Sequence, residues 1–219
     1  MPAAPCLLPD NSPGLLLRPA GAFALLVLAH GAGAGMSHPF LAALAEALAH
    51  SGVATLRYQF PYLERGGGRP DPPAVLVRRV RAAAAFARSE GGLPLFAGGK
   101  SLGGRMTSTA QAEEPLPQVR GLVFYGFPLH PPGKPGVGRA EHLDRVAVPM
   151  LFLQGTRDAL ADPGLLREVT GRLGPRATLH EVEGADHAFA VLRRSGRTAE
   201  EVMQELAGTT ADWMRGVLA

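Results

Sequence analysis

A serine framed by glycines is the residue of this sequence that is best placed to do chemistry. Residues 98–104 read Gly-Gly-Lys-Ser-Leu-Gly-Gly and directly follow a short apolar run at 93–97. Ser101 therefore has a glycine two positions before it and another two positions after it. This spacing is typical of a sharp strand-to-helix turn that exposes the serine hydroxyl, because a Cβ at either glycine would collide with the turn. The segment predicts that Ser101 is a nucleophile.

A serine hydroxyl is a poor nucleophile at neutral pH and needs a base, whose tautomer is fixed in turn by an anionic partner. Asp158 comes just after the apolar run at 149–153, and His187 comes just after the run at 177–182. The order serine, acid, histidine is one of the chain orders in which such triads occur. We expect His187 to be the base and Asp158 its acid, with Asp162 as the alternative acid.

Acyl transfer also needs backbone N–H groups that hold the developing oxyanion. Leu102, the residue after the nucleophile, begins the predicted helix, whose dipole favours negative charge at this end. A second donor is expected from the segment His-Gly-Ala-Gly-Ala-Gly at 30–35, since its small residues let the backbone approach a substrate oxygen closely. Ala32 is the first choice for this donor and Gly33 is the second.

Four further residues are candidates for substrate binding. Lys100 directly precedes the serine, whereas Phe60, Tyr62 and Phe127 follow predicted strands at the same edge of the sheet. Packing in the core or in loops is an equally good interpretation for the three aromatic residues.

Two polar residues beside these motifs have structural interpretations. His30 precedes the glycine loop and is expected to organise it by hydrogen bonding. Asp186 is expected to make structural hydrogen bonds, because adjacent side chains in an extended loop point apart. The other histidines lack the spacing of metal ligands, so we expect neither a metal nor a cofactor.

The composition narrows the class of protein. The 219 residues fit a single domain spanning 1–219, and the sequence shows no apolar run of the length of a membrane span. The first residues lack the basic region of a signal peptide and Cys6 is the single cysteine, so a cytoplasmic location is expected. The net charge is +3 with scattered arginines, which favours a small-molecule substrate over a nucleic acid or a membrane.

Apolar runs of strand length alternate with helical stretches along the chain. Strands are predicted at 22–29, 53–58, 94–98, 119–125, 148–154 and 177–182. Helices are predicted at 38–51, 73–89, 102–112, 163–173 and 198–217. Strands without in–out alternation, interleaved with helices, indicate the α/β class with a mostly parallel sheet covered on both faces. An antiparallel edge strand is expected at 15–18, and loops at 64–70 and 127–139, the second long enough for a flap but not for a cap domain.

Two glycine-rich motifs of other protein classes are nearly matched. Residues 99–101 imitate the end of a phosphate-binding loop, but the first glycine of that motif is replaced by Pro94, and 94–98 are needed as a strand. Residues 31–35 imitate a dinucleotide-binding fingerprint, but Met36 stands where its third glycine belongs. Both alternatives are therefore weak.

Taken together, the motifs resemble those of the α/β-hydrolase superfamily. They are HGAGAG at 30–35 followed by HPF at 38–40, FPY at 60–62, GGKSLGGRM at 98–106, GTRD at 155–158 and ADHAF at 185–189. The resemblance runs from about residue 15 to the end and is strongest to the compact dienelactone-hydrolase-like branch. Within that branch the chain is similar to the hydrolase-like domain in a subunit of a histone-acetyltransferase complex. The resemblance implies a three-layer fold without a cap domain, with Ser101, Asp158 and His187 as nucleophile, acid and base.

These observations favour a cofactor-independent serine hydrolase that cleaves an ester or thioester of a small acyl group through an acyl-enzyme. Two alternatives stay open at this point. One is a binding or scaffold protein of the same fold with a vestigial triad, and the other is an acyltransferase, which shares the triad but excludes water. The sequence leaves the oligomeric state open.

Overall fold

The apolar runs of the sequence form parallel strands, and those in the middle of the sheet are almost entirely buried. In the computed structural model, which describes residues 2–219, they are β3 (Ala24–Ala29), β4 (Val53–Tyr58), β5 (Leu95–Lys100), β6 (Val119–Tyr125), β7 (Met150–Gly155) and β8 (Ala177–Val182). Every residue of β3, β4 and β7 is buried, as expected of parallel strands with helices on both sides. The six strands are parallel and lie in the order β4-β3-β5-β6-β7-β8.

An antiparallel hairpin extends the sheet beyond β4. It consists of β1 (Ala4–Leu7) and β2 (Pro13–Leu17), and β2 pairs with β4. The antiparallel strand predicted at 15–18 corresponds to β2, but β2 is not the edge strand, because β1, which was not predicted, pairs with its outer side. β1 is short, mostly exposed and contains a proline, so it lacks the apolar pattern from which a strand is predicted.

Helices cover both faces of this sheet and complete three layers. They are α1 (Pro39–His50), α2 (Pro61–Glu64), α3 (Pro73–Ser89), α4 (Leu102–Glu113), α5 (Pro163–Leu173) and α6 (Ala199–Leu218). One apolar cluster joins the sheet to α3, α4 and α5, and the other joins it to α1 and α6. The predicted helix bounds are confirmed to within one residue, and the three layers of residues 2–219 carry no separate cap domain.

The predicted loop at 127–139 is only partly a free loop. Residues 127–130 are buried, 131–135 are exposed, and a 3-10 helix begins at 138. His130 holds the buried part in place. Its backbone N–H donates to the Leu160 carbonyl, and its ring Nε2 accepts from the Asp162 N–H. The buried part of this segment is therefore anchored to the loop that carries Asp158, and the flap that the sequence allows is limited to the exposed residues.

Among residues 2–219, no helix is both long enough and apolar enough to cross a membrane.

The start of α4 lies unusually close to the end of β3. A Cβ built on Gly103, in the first turn of α4, would lie 2.6 Å from the His30 carbonyl oxygen and 2.7 Å from the Ala29 carbonyl carbon. Real Cβ atoms do not approach backbone atoms so closely, so only glycine permits this contact. The close approach fixes where the β5–α4 turn stands relative to the loop after β3.

Gly103→Ala is expected to lower the free energy of unfolding by roughly 1–3 kcal/mol, the usual cost of overpacking a close contact. Gly208→Ala is the matched control, because Gly208 lies within α6 with open space around its Cβ position. The control should be stabilised by roughly 0.5–1 kcal/mol, since alanine favours helices over glycine. Urea denaturation of both variants measures the difference. Equal stability of the two would show that α4 does not approach β3 as described.

Candidate active site

Ser101 occupies a backbone conformation that residues with a side chain rarely adopt. It has φ +51° and ψ −118° and lies between the last residue of β5 and the first of α4. Its N–H donates to the Tyr125 carbonyl of β6, and its carbonyl accepts from the Arg105 N–H of α4. Strain of this kind persists only where the surroundings hold it, and it is a feature of functional turns.

The glycines around Ser101 are required by its neighbours. A Cβ on Gly98 would overlap the Val123 carbonyl of β6, and one on Gly99 would lie 2.5 Å from the Ala29 carbonyl oxygen of β3. A Cβ on Gly104 would lie 2.8 Å from the Gly99 carbonyl oxygen. The glycine pattern from which the turn was predicted thus reflects contacts with both strands that flank β5.

Three predicted side chains form a continuous hydrogen-bonded chain. The Oγ of Ser101 lies 2.9 Å from Nε2 of His187, and Nδ1 of His187 lies 2.7 Å from Oδ2 of Asp158. The Asp158 side chain is fully buried, whereas that of His187 is 29% exposed. A neutral imidazole satisfies both contacts when Nδ1 donates to the carboxylate and Nε2 accepts from the serine hydroxyl, as a base requires.

The Asp158 carboxylate is held by two further donors. Gln154 of β7 donates to Oδ2 through its Nε2, and the Leu160 N–H donates to Oδ1 at 2.8 Å. Asp162, the alternative acid, instead caps α5 by accepting from the Leu165 N–H. Gln154 was not predicted as part of the site. The available signal was a polar side chain at the end of an otherwise apolar strand, and it is buried.

The loop after β8 carries His187 back towards Ser101. Asp186 organises it, because its Oδ1 accepts from the N–H groups of Ala188 and Ala190 at 2.8 and 2.9 Å. The hydrogen-bonding role expected for Asp186 agrees with these contacts. The Arg157 N–H also donates to the Ala185 carbonyl, which ties this loop to the one that carries Asp158.

The loop after β3 places backbone N–H groups beside Ser101. A Cβ on Gly31 would lie 3.7 Å from that of Ser101, and Ala32 and Gly33, which follow it, are exposed. Within residues 2–219, the N–H groups of Ala32, Gly33 and Leu102 donate to no protein acceptor. All three predicted donors are therefore available to a ligand, and that of Leu102 stands at the N-terminus of α4.

His30 is buried and shapes this loop. Nδ1 of its ring lies 2.8 Å from the Gly31 carbonyl oxygen, and Nε2 accepts from the Phe60 N–H at 2.9 Å. Burial lowers the pKa of His30 from 6.5 to about 4, opposed by the hydrogen bond to the Gly31 carbonyl. The ring is therefore neutral, with Nδ1 as the donor, in agreement with the expected structural role.

A cavity of about 450 Å³ opens beside Ser101. It is lined by residues 31–34, His38, Phe40, Leu41, Lys100, Ser101, Leu160, His187 and Ala188. A second cavity, of about 590 Å³, lies at the amino ends of β5 and β6, the opposite edge of the sheet from Ser101. We take the first as the candidate substrate cavity, since it contains the hydrogen-bonded chain.

The four candidates for substrate binding are placed differently from one another. Lys100 lines the cavity beside Ser101, whereas Phe60 and Phe127 are buried in the core and do not line it. Tyr62 is also buried and does not line the cavity, but its hydroxyl donates to the Ala32 carbonyl at 2.7 Å. For Phe60 and Phe127 the structure therefore corresponds to the alternative of core packing, because both rings belong to the apolar cluster shared with α3, α4 and α5.

The ammonium group of Lys100 lies among groups of the site. It donates a hydrogen bond to the His187 carbonyl, and its Nζ is 5.3 Å from the centroid of the Phe189 ring. Burial lowers the pKa of Lys100 to about 8, and the carboxylates of Asp158 and Asp186 oppose this shift. Lys100 is therefore still mostly protonated at neutral pH.

Comparison with protein families gives one match over most of the chain. A family model described as an alpha/beta hydrolase domain matches residues 22–215. The match includes the turn at Ser101, both partner side chains and the loop after β3.

Solved structures share the fold over nearly the whole length. Dienelactone hydrolase from Anabaena variabilis is 22% identical with a TM-score of 0.75, and the alignment covers 98% of this chain and 96% of that one. A serine hydrolase homologue from Coxiella burnetii is 19% identical with a TM-score of 0.73, covering 95% and 96%. A serine hydrolase without a lid from Xanthomonas campestris is 19% identical with a TM-score of 0.72, covering 97% and 95%. These similarities show the fold.

The low pKa of His30 predicts a specific loss of stability in acid. Between pH 6.5 and about 4 the unfolded chain binds a proton at His30 that the folded chain does not. The free energy of unfolding therefore falls as the pH drops through this window, by up to about 1.4 kcal/mol for each unit of pKa difference. Urea denaturation at pH 7 and pH 4.5 measures the loss.

His30→Gln is the comparison, because the amide can donate and accept but does not titrate in this range. We expect this variant to be less stable than the wild type at pH 7 and to lose less stability on acidification. His142, whose pKa burial also lowers to about 4, is present in both proteins and cancels in the comparison. Equal losses in the two proteins would contradict the assignment of a buried neutral ring.

Proposed function

The chain belongs to the alpha/beta hydrolase domain family, and we propose that it is a serine hydrolase that cleaves an ester or thioester of a small acyl group. The observation that carries this proposal is the hydrogen-bonded chain from Ser101 through His187 to Asp158. It stands at a cavity, with its serine held in a strained turn and its aspartate buried. These features together support nucleophilic catalysis better than a structural role.

In the proposed reaction the Oγ of Ser101 attacks the carbonyl carbon of the substrate while Nε2 of His187 takes its proton. The resulting imidazolium is stabilised by the Asp158 carboxylate and returns the proton to the departing alcohol or thiol. The acyl group is then bonded to Ser101. His187 next takes a proton from water, whose oxygen attacks the acyl carbon, and the proton passes to Ser101 as the acid leaves.

Negative charge on the carbonyl oxygen is stabilised by the N–H groups of Leu102 and Ala32, with Gly33 as the alternative to Ala32. These groups have no protein acceptor in residues 2–219, so no existing hydrogen bond must break when the oxyanion forms. The N-terminus of α4 adds its dipole. Preorganised donors of this kind account for much of the rate enhancement in acyl transfer.

The dimensions of the cavity support a small acyl substrate. A volume of about 450 Å³ lies in the lower part of the range of ligand cavities. The walls formed by Phe40, Leu41 and Leu160 are apolar. The 29% exposure of the His187 side chain gives water access to the base. This access favours hydrolysis over acyl transfer to a second substrate.

Labelling with a fluorophosphonate probe tests the nucleophile. We expect one adduct on the wild type and none on Ser101→Ala, because the probe reacts only with an activated serine. Ser89→Ala, at an exposed position at the end of α3, is the matched control and should label like the wild type. Turnover of p-nitrophenyl acetate should fall by at least about 10⁴-fold in Ser101→Ala. A folded wild type that forms no adduct would contradict the proposal and favour a scaffold role.

The choice of acid is tested by two matched substitutions. Asp158→Asn is expected to lower kcat by roughly 10³–10⁴-fold, because a neutral amide neither fixes the histidine tautomer nor stabilises the imidazolium. Asp162→Asn should retain nearly full activity, since asparagine caps a helix as well as aspartate does. Steady-state kinetics of p-nitrophenyl acetate hydrolysis by the two variants shows which aspartate is the acid. A larger loss in Asp162→Asn than in Asp158→Asn would reverse the assignment.

A further inference from the structure

Lys100 is a charged residue at a position where the sheet would accommodate an apolar one. Strand alternation places its side chain on the same face as Phe96, which packs against Trp213 of α6. Its Nζ lies 5.3 Å and 6.0 Å from the ring centroids of Phe189 and Phe40, which are stacked on each other. An ammonium in such a setting loses hydration, which is unfavourable unless other contacts compensate.

The compensating hydrogen bond goes to the main chain of His187. Nζ of Lys100 donates to the His187 carbonyl, which in residues 2–219 accepts from no other protein donor. The N–H groups of Ala188 and Ala190 bond to Asp186, within the same loop. Lys100 therefore links the loop that carries the proposed base to the strand that carries the proposed nucleophile.

Two carboxylates complete the surroundings of the ammonium group. The position that a Cβ on Gly126 would occupy lies 3.0 Å from Nζ of Lys100, 3.5 Å from Oδ2 of Asp158 and 3.5 Å from Cε1 of His187. The ammonium, the carboxylate and the imidazole thus surround one point, and Asp186 contributes a second negative charge. The charge of Lys100 is balanced by groups of the site itself.

The distance that the loop must span explains why a tether is needed. β8 is separated from β5 by β6 and β7, so His187 has to reach back across two strands. Phe189, two residues further, has φ +62°, an unfavourable conformation for a residue with a side chain. A loop of this kind keeps its shape only if contacts outside it hold it in place.

We propose that Lys100 is a positioning residue that holds His187 at hydrogen-bond distance from Ser101 through its bond to the His187 carbonyl. The inference rests on the proposed function, because it takes His187 as the base. Lys100 acts through the loop and does not itself touch the reacting atoms.

Three variants of the full chain test this role. Lys100→Met keeps an unbranched side chain that can pack beside the two stacked phenylalanine rings but donates no hydrogen bond. Lys100→Arg retains the charge and the donors. Lys134→Met is the matched control, because Lys134 is the other lysine of the sequence and lies at an exposed position. Hydrogen exchange by mass spectrometry reports on the segment 184–191, and p-nitrophenyl acetate reports on kcat and KM.

We expect Lys100→Met to exchange roughly tenfold faster in 184–191, with exchange of α3 unchanged as the measure of correct folding. Its kcat should fall roughly 10–100-fold while KM stays within about twofold, because the base and not the substrate is misplaced. Lys100→Arg should recover part of both losses, and Lys134→Met should match the wild type.

Unchanged exchange in Lys100→Met, or an unchanged kcat despite faster exchange, would overturn the inference. A wild type without a fluorophosphonate adduct contradicts the proposed function instead. The exchange comparison needs no activity, so in that case it still shows whether Lys100 holds the loop. The two failures are therefore distinguishable.

Discussion

The contact on which the site depends is the close approach of the β5–α4 turn to the backbone of β3 and β6. β5 lies between these two strands, and glycines on both sides of Ser101 let it pass within contact of their carbonyl groups. The same approach holds Ser101 at a positive φ and sets the first turn of α4 against His30. A larger residue at Gly99 or Gly103 would separate the serine from the loop after β3, and with it from the expected oxyanion donors.

Strand order then determines what each segment must do. β3 is adjacent to β5, so its loop of small residues reaches Ser101 directly, and hydrogen bonds of the buried His30 ring and of the Tyr62 hydroxyl fix its path. Asp158 and His187 follow strands two and three positions away from β5, so they have to reach back towards Ser101 across the edge of the sheet. Three polar side chains hold these two residues in place. Gln154 and Lys100 donate to the Asp158 carboxylate and to the His187 carbonyl, and the Asp186 carboxylate accepts from N–H groups of the loop after β8.

Much of the architecture follows from the sequence, because buried parallel strands are apolar along most of their length. Each is followed by a segment whose apolar residues recur with the spacing of a helix. The positions of Ser101, Asp158 and His187 were predictable for a related reason. Each directly follows a strand, and parallel strands bring their carboxyl ends to one edge of the sheet. Strand β1 was missed because it is short and exposed, and its residues show no alternation of apolar and polar types.

The direction in which a side chain points was harder to predict from the sequence than the position of its residue in the fold. Phe60 follows a strand at the correct edge, yet its ring packs into the core, and adjacency to a strand end does not specify that choice. Gln154 and Lys100 gave a signal only as polar residues at the ends of apolar strands. Their partners, the Asp158 carboxylate and the His187 carbonyl, are distant in sequence and are brought to them by the fold alone.

A crystal structure of the protein after reaction with a small alkyl phosphonate tests the central claim most directly, because the tetrahedral phosphorus imitates the intermediate of acyl transfer. We expect a covalent bond from phosphorus to the Oγ of Ser101. We also expect a phosphoryl oxygen within about 2.7–3.1 Å of the N–H groups of Leu102 and of Ala32 or Gly33. A phosphonate bonded to another residue, or one on Ser101 whose oxygen points away from both donors, would contradict it.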